Sequence, residues 1–341
     1  MAMSIPDPGP ILLLLQAFRH SKVMFAAVAL GVFDRLEEAP ASSSSLARDL
    51  NLSADALERL LDTCVALGLL IRDESQYKNT VAASVYLCLK SPQRITGYVD
   101  HSNVALWYLW AHLEDAVREG THRWEQSFSL PGPIFSSFYR TEAAQREFIM
   151  AMHGYGLISS PAVVDAFDLS RFRQLVDVGG GTGHLAIVAC QRYPALQATV
   201  FDLPSVIPFA QEQIYQSGLS SRISVVAGDF FKDPLPAADL FTLSRIIHDW
   251  NETKIPPFLR KLFQTLPQGG GLLISEKLLH PDKSGPLWAL LQSLNMLVST
   301  EGKERTLEEY GTLLRDAGFR NVEGRVTDSP LDAILATKAG A

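Results

Sequence analysis

The chain has 341 residues, of which 47% are hydrophobic and 20% are charged, and its formal net charge is -7. This length predicts one large or two medium domains with a sizeable core, and the acidic balance argues against a general nucleic-acid binder. The cysteines are odd in number and form no C-x-x-C pair, which predicts reduced, buried thiols and a cytoplasmic location. They are Cys64, Cys88 and Cys190.

The first apolar run covers residues 10–15 and is soon followed by Arg19 and Lys22. It is shorter than a bilayer span and lacks a preceding basic segment, so we predict neither a signal peptide nor membrane association. We interpret it as a helix in the core or at a dimer interface. Apolar residues at helical spacing predict a further helix over residues 21–36.

Residues 1–95 are predicted to form a first domain with the outline of a winged helix. Helical spacing covers residues 55–70, and residues 71–73 and 76–78 are then predicted to form a small hairpin. A winged helix suggests DNA binding, but acidic residues dominate the helix that would read DNA, and phosphate would repel it. We therefore predict a dimerisation surface that binds no nucleic acid. The acidic residues are Asp55, Glu58 and Asp62, against the single Arg59.

Residues 96–165 are predicted to form a helical linker, with helices over residues 98–120 and 142–159. The first of these carries Trp107, Tyr108 and Trp110. An aromatic stripe of this kind is typical of a core. Its place just ahead of the third domain also fits the wall of a substrate pocket.

Strands and helices alternate over residues 166–341, which predicts an α/β fold with a doubly wound, mostly parallel sheet. Two further runs near the C-terminus predict a terminal antiparallel hairpin. The predicted strands cover residues 174–178, 198–201, 223–227, 240–243 and 271–276, the helices between them residues 185–192, 205–216 and 253–265, and the hairpin residues 322–326 and 333–336.

The segment Asp177-Val178-Gly179-Gly180-Gly181-Thr182-Gly183 lies between the first strand and its helix. Glycines there allow backbone N–H groups to approach a ligand closely. The next strand ends at Asp202, where a carboxylate commonly binds ribose hydroxyls. His184 takes the place of the last glycine of a dinucleotide fingerprint, so we favour S-adenosylmethionine (SAM) over NAD or FAD. A tight turn without a ligand is the alternative.

Further candidate residues follow the third, fourth and fifth strands, where ligands of such sheets bind. Gly228-Asp229-Phe230-Phe231 offers an acid and an aromatic ring for an adenine. His248 is suited to remove a proton near neutral pH, and Glu276 or Glu304 would orient its ring. The alternatives are a structural histidine and, for Glu304, a charge at a helix N-terminus.

These segments resemble the metal-independent small-molecule O-methyltransferases that use SAM, and most closely the acetylserotonin (hydroxyindole) O-methyltransferase group. The resemblance spans nearly the whole chain. It implies a class I SAM-methyltransferase Rossmann-like domain preceded by a mostly helical winged-helix dimerisation domain, a homodimer, and S-adenosylhomocysteine as product. The further matching segments are Val200-Phe201-Asp202-Leu203-Pro204, Arg245-Ile246-Ile247-His248-Asp249-Trp250, Ser293-Leu294-Asn295-Met296-Leu297-Val298 and Glu301-Gly302-Lys303-Glu304-Arg305-Thr306.

The resemblance also implies roles for single residues. His248 matches the catalytic base, and Glu276 and Glu304 match the acids that flank it. At Gly156 the vertebrate enzymes carry a cofactor-contacting tryptophan, so the glycine is expected to loosen the cofactor lid or to enlarge the substrate space. The cofactor positions are Asp177, Gly179, Gly181, Asp202, Leu203, Gly228, Asp229, Phe230, Arg245 and Tyr139. The predicted substrate positions are Asp249, Asn295 and Met296, with Trp107, Tyr108, Phe148 and Met152 as pocket candidates.

We therefore predict methyl transfer from SAM to a phenolic or hydroxyindole hydroxyl of a small aromatic molecule. His248 and Asp249 lack a third clustered ligand, so no metal is predicted. The alternatives are methylation of natural products at N or S, non-methylating chemistry on aromatic polyketides, and a non-enzymatic winged-helix regulator that senses SAM.

Overall fold

The computed structural model describes residues 5–130, 132 and 134–339. The chain divides into two units, with the boundary between Ala105 and Leu106. The predicted division at residues 1–95, 96–165 and 166–341 differs from this boundary and stays a prediction. Apart from the helix Thr96–His101, the helices of the predicted linker lie in the second unit. Within that unit the backbone N–H of Arg123 donates to Val298 O and Trp124 Nε1 donates to Ser299 O, both at 2.9 Å.

The first unit contains six helices and one hairpin among its described residues. Phe33, Leu46, Leu61 and Tyr77 lie in its core and are at most 1% exposed. Four helices precede the hairpin, and the last three of them together with the hairpin confirm the predicted winged-helix outline. The elements are α1 (Gly9–Ala29), α2 (Val32–Glu38), α3 (Ser43–Asp49), α4 (Ala54–Ala66), β1 (Leu70–Asp73), β2 (Gln76–Asn79), α5 (Val81–Tyr86) and α6 (Thr96–His101).

The helix predicted over residues 21–36 is in fact two helices. Gly31 adopts φ +73°, a left-handed conformation that ends α1 and starts α2. The helix predicted over residues 98–120 is also interrupted, by a π-helical segment at Ser102–Leu106. Ser102 Oγ donates to Tyr98 O at 2.7 Å, a side-chain bond that competes with the regular helical ladder.

Helix α1 is longer than the apolar run at residues 10–15, which by itself is shorter than a bilayer span. In the described part of the chain it is the one helix long and apolar enough for a span, with a mean hydropathy of 1.4 and 11% of that window buried. The prediction counted only the uninterrupted apolar run, whereas the helix continues through Arg19 and Lys22 to Ala29. Leu13 and Leu14 are 67% and 73% exposed.

The second unit surrounds a seven-stranded sheet in the order β5-β4-β3-β6-β7-β9-β8. Its helices are α7 (Trp107–Trp110), α8 (Leu113–Glu119), α9 (Trp124–Phe128), α10 (Ile134–Phe138), α11 (Glu142–Asp165), α12 (His184–Arg192), α13 (Ile207–Gln216), α14 (Ile255–Thr265), α15 (Leu287–Ser299) and α16 (Leu307–Ala317). Its strands are β3 (Gln174–Val178), β4 (Gln197–Asp202), β5 (Ile223–Ala227), β6 (Leu240–Ser244), β7 (Gly271–Glu276), β8 (Arg320–Arg325) and β9 (Asp332–Thr337).

The pairing of the strands confirms the predicted fold class. Strands β3 to β7 are parallel to one another, while β9 is antiparallel to β7 and to β8. The strand order reverses at β3, which has β4 on one side and β6 on the other. A ligand crevice forms at such a switch point, beyond the carboxyl ends of the strands. The loops after β3, β4 and β6 therefore define the site.

Candidate active site

The glycine loop after β3 is held by Asp202 at the end of β4. The backbone N–H of Gly181 donates to Asp202 Oδ2 at 2.8 Å, and that of Leu203 donates to Oδ1 at 2.7 Å. Gly181 has φ +58°, and a Cβ built there would meet nothing within 4 Å. The loop therefore has an open side next to a carboxylate, as a nucleoside requires.

The other predicted cofactor residues lie around this loop. A Cβ at Gly179 would come within 2.6 Å of Ile246 Cδ1 and 3.5 Å of the Phe230 ring, so only glycine fits between them. Phe230 packs against Phe258 with ring centroids 4.9 Å apart. The backbone N–H of Gly228 donates to Asp202 O at 2.9 Å.

Asp177 and Asp229 make different contacts. Asp177 is buried, and its Oδ1 accepts from Thr242 Oγ1 at 2.7 Å, while its Oδ2 has no partner among the described residues. Asp229 Oδ2 forms an ion pair with Lys232 at 2.9 Å. Asp177 therefore lies in the protein interior, whereas Asp229 lies at the rim of the ligand crevice.

Arg245 directly follows β6 in a strained conformation. Its φ is +58°, which costs a non-glycine residue on the order of 1–3 kcal/mol and persists where the surroundings enforce it. The guanidinium lies 4.3 Å from the centroid of the Tyr155 ring, and its Nη1 is buried without a partner among the described residues. A buried, unpaired cationic donor beside the glycine loop fits an anionic group of a ligand.

Tyr139 lies close enough to Asp202 and Asp249 for both acids to act on its hydroxyl. Burial raises the pKa of its hydroxyl far above the ordinary value, and Asp202 and Asp249 raise it further. The hydroxyl therefore stays protonated and can donate a hydrogen bond. The proximity of Tyr139 to both acids supports its predicted position at the cofactor.

His248 lies in the short 3₁₀ helix Ile247–Asp249 after β6 and is 2% exposed. Its Nδ1 is 2.6 Å from Glu304 Oε1 and 3.1 Å from Glu276 Oε2. Its Nε2 lies 3.7 Å from Asp249 Oδ1, beyond hydrogen-bond distance. An Nδ1–H that donates to Glu304 fixes the tautomer and leaves Nε2 unprotonated, as a base requires.

Glu276 and Glu304 reach the histidine by different routes. Glu276 ends β7, and its Oε1 accepts from the backbone N–H groups of Ile246 and Ile247 at 3.1 and 2.9 Å, which fixes the turn that carries His248. The N-terminus of α16 is capped by Thr306 and Glu309 instead. Glu304 therefore orients His248, and the alternative of a helix N-terminal charge is not what the structure shows.

The three side chains also form a group that could hold a cation. One ligand atom from each of His248, Glu276 and Glu304 lies within 4.8 Å of the others. The sequence argument against a metal considered only His248 with Asp249, so it is incomplete. A hydrogen bond between Nδ1 and a carboxylate is typical of a histidine that accepts and donates protons in catalysis. The absence of a metal stays a prediction.

The pKa values of the buried acids lead to a stability prediction. Burial raises the pKa of Glu304 to about 8 and that of Glu276 to about 7. Both values lie above those of the unfolded chain, so the stability from the protonated forms is lost as the pH rises towards 8. We expect Glu304→Gln to gain stability relative to the wild type from pH 5 to pH 8.5, by about 1.4 kcal/mol for each pKa unit removed.

Urea unfolding at pH 5, 7 and 8.5 measures this difference. The exposed Glu323, which pairs with Arg325, provides the control Glu323→Gln. A stability difference between Glu304→Gln and the wild type that stays constant over this pH range would contradict the assignment.

The predicted substrate residues fall into two groups. Asn295 and Met296 are buried on α15, 9% and 4% exposed. Asn295 Oδ1 accepts from Trp110 Nε1 at 2.9 Å, and its NH₂ group has no partner among the described residues. Because the indole N–H can only donate, this contact fixes the orientation of the amide. Trp110 was noted only as part of an aromatic stripe, and no local signal links it to Asn295.

The remaining pocket candidates are aromatic residues and a methionine, and the contacts described for them do not involve His248. Phe148 stacks on Phe138 with ring centroids 4.3 Å apart and lies 6.0 Å from the Tyr139 ring. Tyr108 is 52% exposed and meets the edge of Phe128. Trp107 and Met152 are partly buried. Their roles as substrate-binding residues stay predictions.

Gly156 does not open the space that the sequence suggested. A Cβ at this position would lie 2.3 Å from Cγ of His184. The imidazole therefore fills the volume above the glycine, and the expected enlargement of the substrate space at this point is wrong.

Comparison with known proteins decides the family. The O-methyltransferase domain matches residues 110–320, and the O-methyltransferase dimerisation domain matches residues 12–88. The chain belongs to the O-methyltransferase family. The predictions of a SAM-dependent O-methyltransferase and of this cofactor are confirmed by this membership and by the structural match to a SAM-bound member.

Individual members of the O-methyltransferase family are similar over most of the chain. Acetylserotonin O-methyltransferase of Bos taurus is 42% identical over 94% of this chain and 95% of its own length. The crystal structure of human N-acetylserotonin methyltransferase in complex with SAM has 40% identity and a TM-score of 0.94, and covers 99% of this chain and all of that one. A probable bifunctional dTTP/UTP pyrophosphatase/methyltransferase of Homo sapiens is 42% identical, and the match spans 98% of this chain but 54% of that protein.

Proposed function

We propose that this chain transfers the methyl group of SAM to the hydroxyl of a small aromatic acceptor of the hydroxyindole class, with His248 as the general base. The observation that carries the proposal is the arrangement of His248, whose Nδ1 is bound by Glu304 while Nε2 has no hydrogen-bond partner within the described part of the chain. The similarity to acetylserotonin O-methyltransferases supports the acceptor class.

The protein has two tasks in this reaction. Bound SAM supplies a methyl group on a positively charged sulfur, which is a good leaving group. The acceptor oxygen must be placed in line with that methyl, and placement alone contributes about 7–11 kcal/mol. A phenol with a pKa of about 10 is mostly protonated at neutral pH, so its proton must also be removed.

His248 performs the second task. Its Nε2 would take the hydroxyl proton, and the electron pair left on the acceptor oxygen would form the bond to the methyl carbon as the carbon–sulfur bond breaks and its electrons return to sulfur. The resulting imidazolium is buried, and such a charge is stable only beside an opposite charge. Glu304 and Glu276 at Nδ1 supply it in their ionised forms, which become the major forms as the pH rises above about 8 for Glu304 and about 7 for Glu276. Asp249 lies on the Nε2 side and would accept a hydrogen bond from the acceptor.

The amide of Asn295 supports an acceptor that also has a polar side arm. Its NH₂ group can donate to a carbonyl oxygen, while Trp110 holds the amide oxygen. Met296, the following residue of α15, is buried and would provide an adaptable apolar contact for a ring. An N-acylated hydroxyindole presents both a ring and a carbonyl, and simple phenols present only the ring.

The experiment is a panel of acceptors with methyl-labelled SAM. We expect N-acylated hydroxyindoles to have the highest kcat/KM, the corresponding free amines and simple phenols lower values, and anilines and thiols no transfer. Asn295→Ala should reduce the preference for the N-acylated compound. Equal kcat/KM values across the panel, or label on nitrogen or sulfur only, would contradict the proposed acceptor.

We also infer a homodimer formed through the first unit. The match to a dimerisation domain and the exposed leucines of α1 support it, because such a surface is rarely left in water. The double variant Leu13→Glu/Leu14→Glu should be monomeric in light scattering, whereas the wild type should be dimeric. Co-sedimentation of the wild type with lipid vesicles would instead favour membrane contact of α1.

We further propose that the protein binds no nucleic acid and is located in the cytoplasm. In α4, Arg59 pairs with Asp55 of the same helix, and Asp62 pairs with Arg72 of the hairpin. Arg59 is therefore already paired with an acid and is not available to bind a phosphate. The three cysteines are free and buried, which supports a reducing compartment.

A further inference from the structure

One face of α11 contacts the end of the glycine loop. His153, Gly156 and Ser160 are spaced by three and four residues, so they share a helix face. His153 Nδ1 lies 2.8 Å from Thr182 Oγ1, and Ser160 Oγ lies 2.8 Å from Nδ1 of His184, the first residue of α12. Residues on both sides of Gly183 are thus fixed to the same helix.

Gly156 is what allows the ring of His184 to lie there. A built Cβ would be 2.3 Å from Cγ and 2.4 Å from both Cδ2 and Cε1 of the ring. Nearly equal distances to separate ring atoms mean that the face of the imidazole covers the glycine. With its face on Gly156 and its Nδ1 on Ser160, the ring has one defined orientation.

The other ring nitrogen has no assigned role. Nε2 of His184 has no hydrogen-bond partner among the residues that the structure describes, and the residue as a whole is partly exposed. Burial lowers the pKa of His184 to about 3, with further contributions from His153 and Arg245. The His184 ring is buried deeply enough to lower its pKa and yet belongs to a partly exposed residue, as expected for a side chain that lines a cleft. At neutral pH the ring is neutral and carries a single N–H.

Arg245 supplies the second observation. It is close enough to act on His184 electrostatically, and its buried Nη1 lacks a partner among the described residues. Asp202, at the end of β4, provides the carboxylate suited to ribose hydroxyls. The donors of His184 and Arg245 are therefore suited to the other end of SAM, which carries an α-carboxylate.

We propose that His184 is a cofactor-binding residue whose Nε2–H, beside Arg245, donates to the amino-acid carboxylate of SAM. Ser160 Oγ–H donates to Nδ1 and so places the single ring proton on Nε2. The inference rests on SAM as the cofactor and is independent of the acceptor.

The test compares two ligands that differ at this end. S-adenosylhomocysteine carries the amino-acid group, whereas 5′-methylthioadenosine keeps the adenosine and the thioether and lacks it. Calorimetry on His184→Ala should show about tenfold or greater weakening for S-adenosylhomocysteine, as for loss of a hydrogen bond to a charged group. Binding of 5′-methylthioadenosine should be unchanged. Equal weakening of both ligands, or no weakening of S-adenosylhomocysteine, would overturn the proposal.

Further variants separate hydrogen bonding from packing. His184→Gln places an NH₂ donor near the position of Nε2 and should retain most of the affinity, whereas His184→Leu keeps bulk without a donor and should resemble His184→Ala. Gly156→Ala should displace the ring and weaken S-adenosylhomocysteine alone. Equal affinity of the Gln and Leu variants, each shown to be folded by thermal denaturation, would exclude the donor role. Failure of the wild type to bind either ligand would instead refute the proposed cofactor.

Discussion

His248→Ala is expected to lower kcat by about 10²–10⁴-fold, the usual contribution of a positioned general base. Affinity for SAM should be unchanged, because the predicted cofactor contacts come from the glycine loop, Asp202 and Arg245. The deficit should shrink as the pH approaches about 10, where a phenol ionises without help. Steady-state kinetics over pH 7 to 10, with SAM binding followed by calorimetry, measure both effects.

A surface histidine provides the control for this experiment. His280 is exposed and lies outside the cluster around His248, so His280→Ala should behave as the wild type. Wild-type turnover in His248→Ala with SAM bound would remove the imidazole from the reaction. A kcat deficit that stays the same at high pH would show that the ring acts by some route other than removing the proton.

Gly302→Ala is expected to lower both stability and kcat. A Cβ at residue 302 would lie 2.1 Å from the carbonyl oxygen of His248 and 2.7 Å from the backbone nitrogen of Trp250. Backbone atoms cannot rotate away as a side chain can, so the segment that carries His248 must shift. Overpacking of this kind costs about 1–3 kcal/mol, and a displacement of about 1 Å at a reacting group can cost about 10²-fold in rate.

Gly311 offers a matched control because its added Cβ would come closest to the guanidinium end of Arg315, at 2.9 Å. That side chain can move, and alanine is the better helix former, so Gly311→Ala should keep its activity and gain about 0.5–1 kcal/mol. Thermal denaturation and kcat of both variants test the contrast. Equal behaviour of the two variants would show that residue 302 does not hold His248 in place.

Local patterns were sufficient to predict the sheet and the cofactor loop. Strands 174–178, 223–227 and 271–276 were predicted with the bounds that the structure gives, because each is a short segment rich in apolar residues that alternates with a helical pattern. The glycines and Asp202 were found because close backbone approach and strand-end carboxylates leave a direct trace in residue type. Helix continuity was predicted less well, since Gly31 and Ser102 change the backbone without disturbing the apolar spacing.

The sequence by itself determined the fold class, the cofactor loop and the candidate base, because periodicity, steric need for glycine and strand-end position are properties of neighbouring residues. Only the tertiary structure decided which groups meet. Glu304 binds a histidine 56 positions away, Asn295 meets Trp110 across 185 positions, and the ring of His184 fills the space above Gly156. Contacts between such distant residues arise from the packing of whole elements, and residue type and spacing along the chain do not encode them separately.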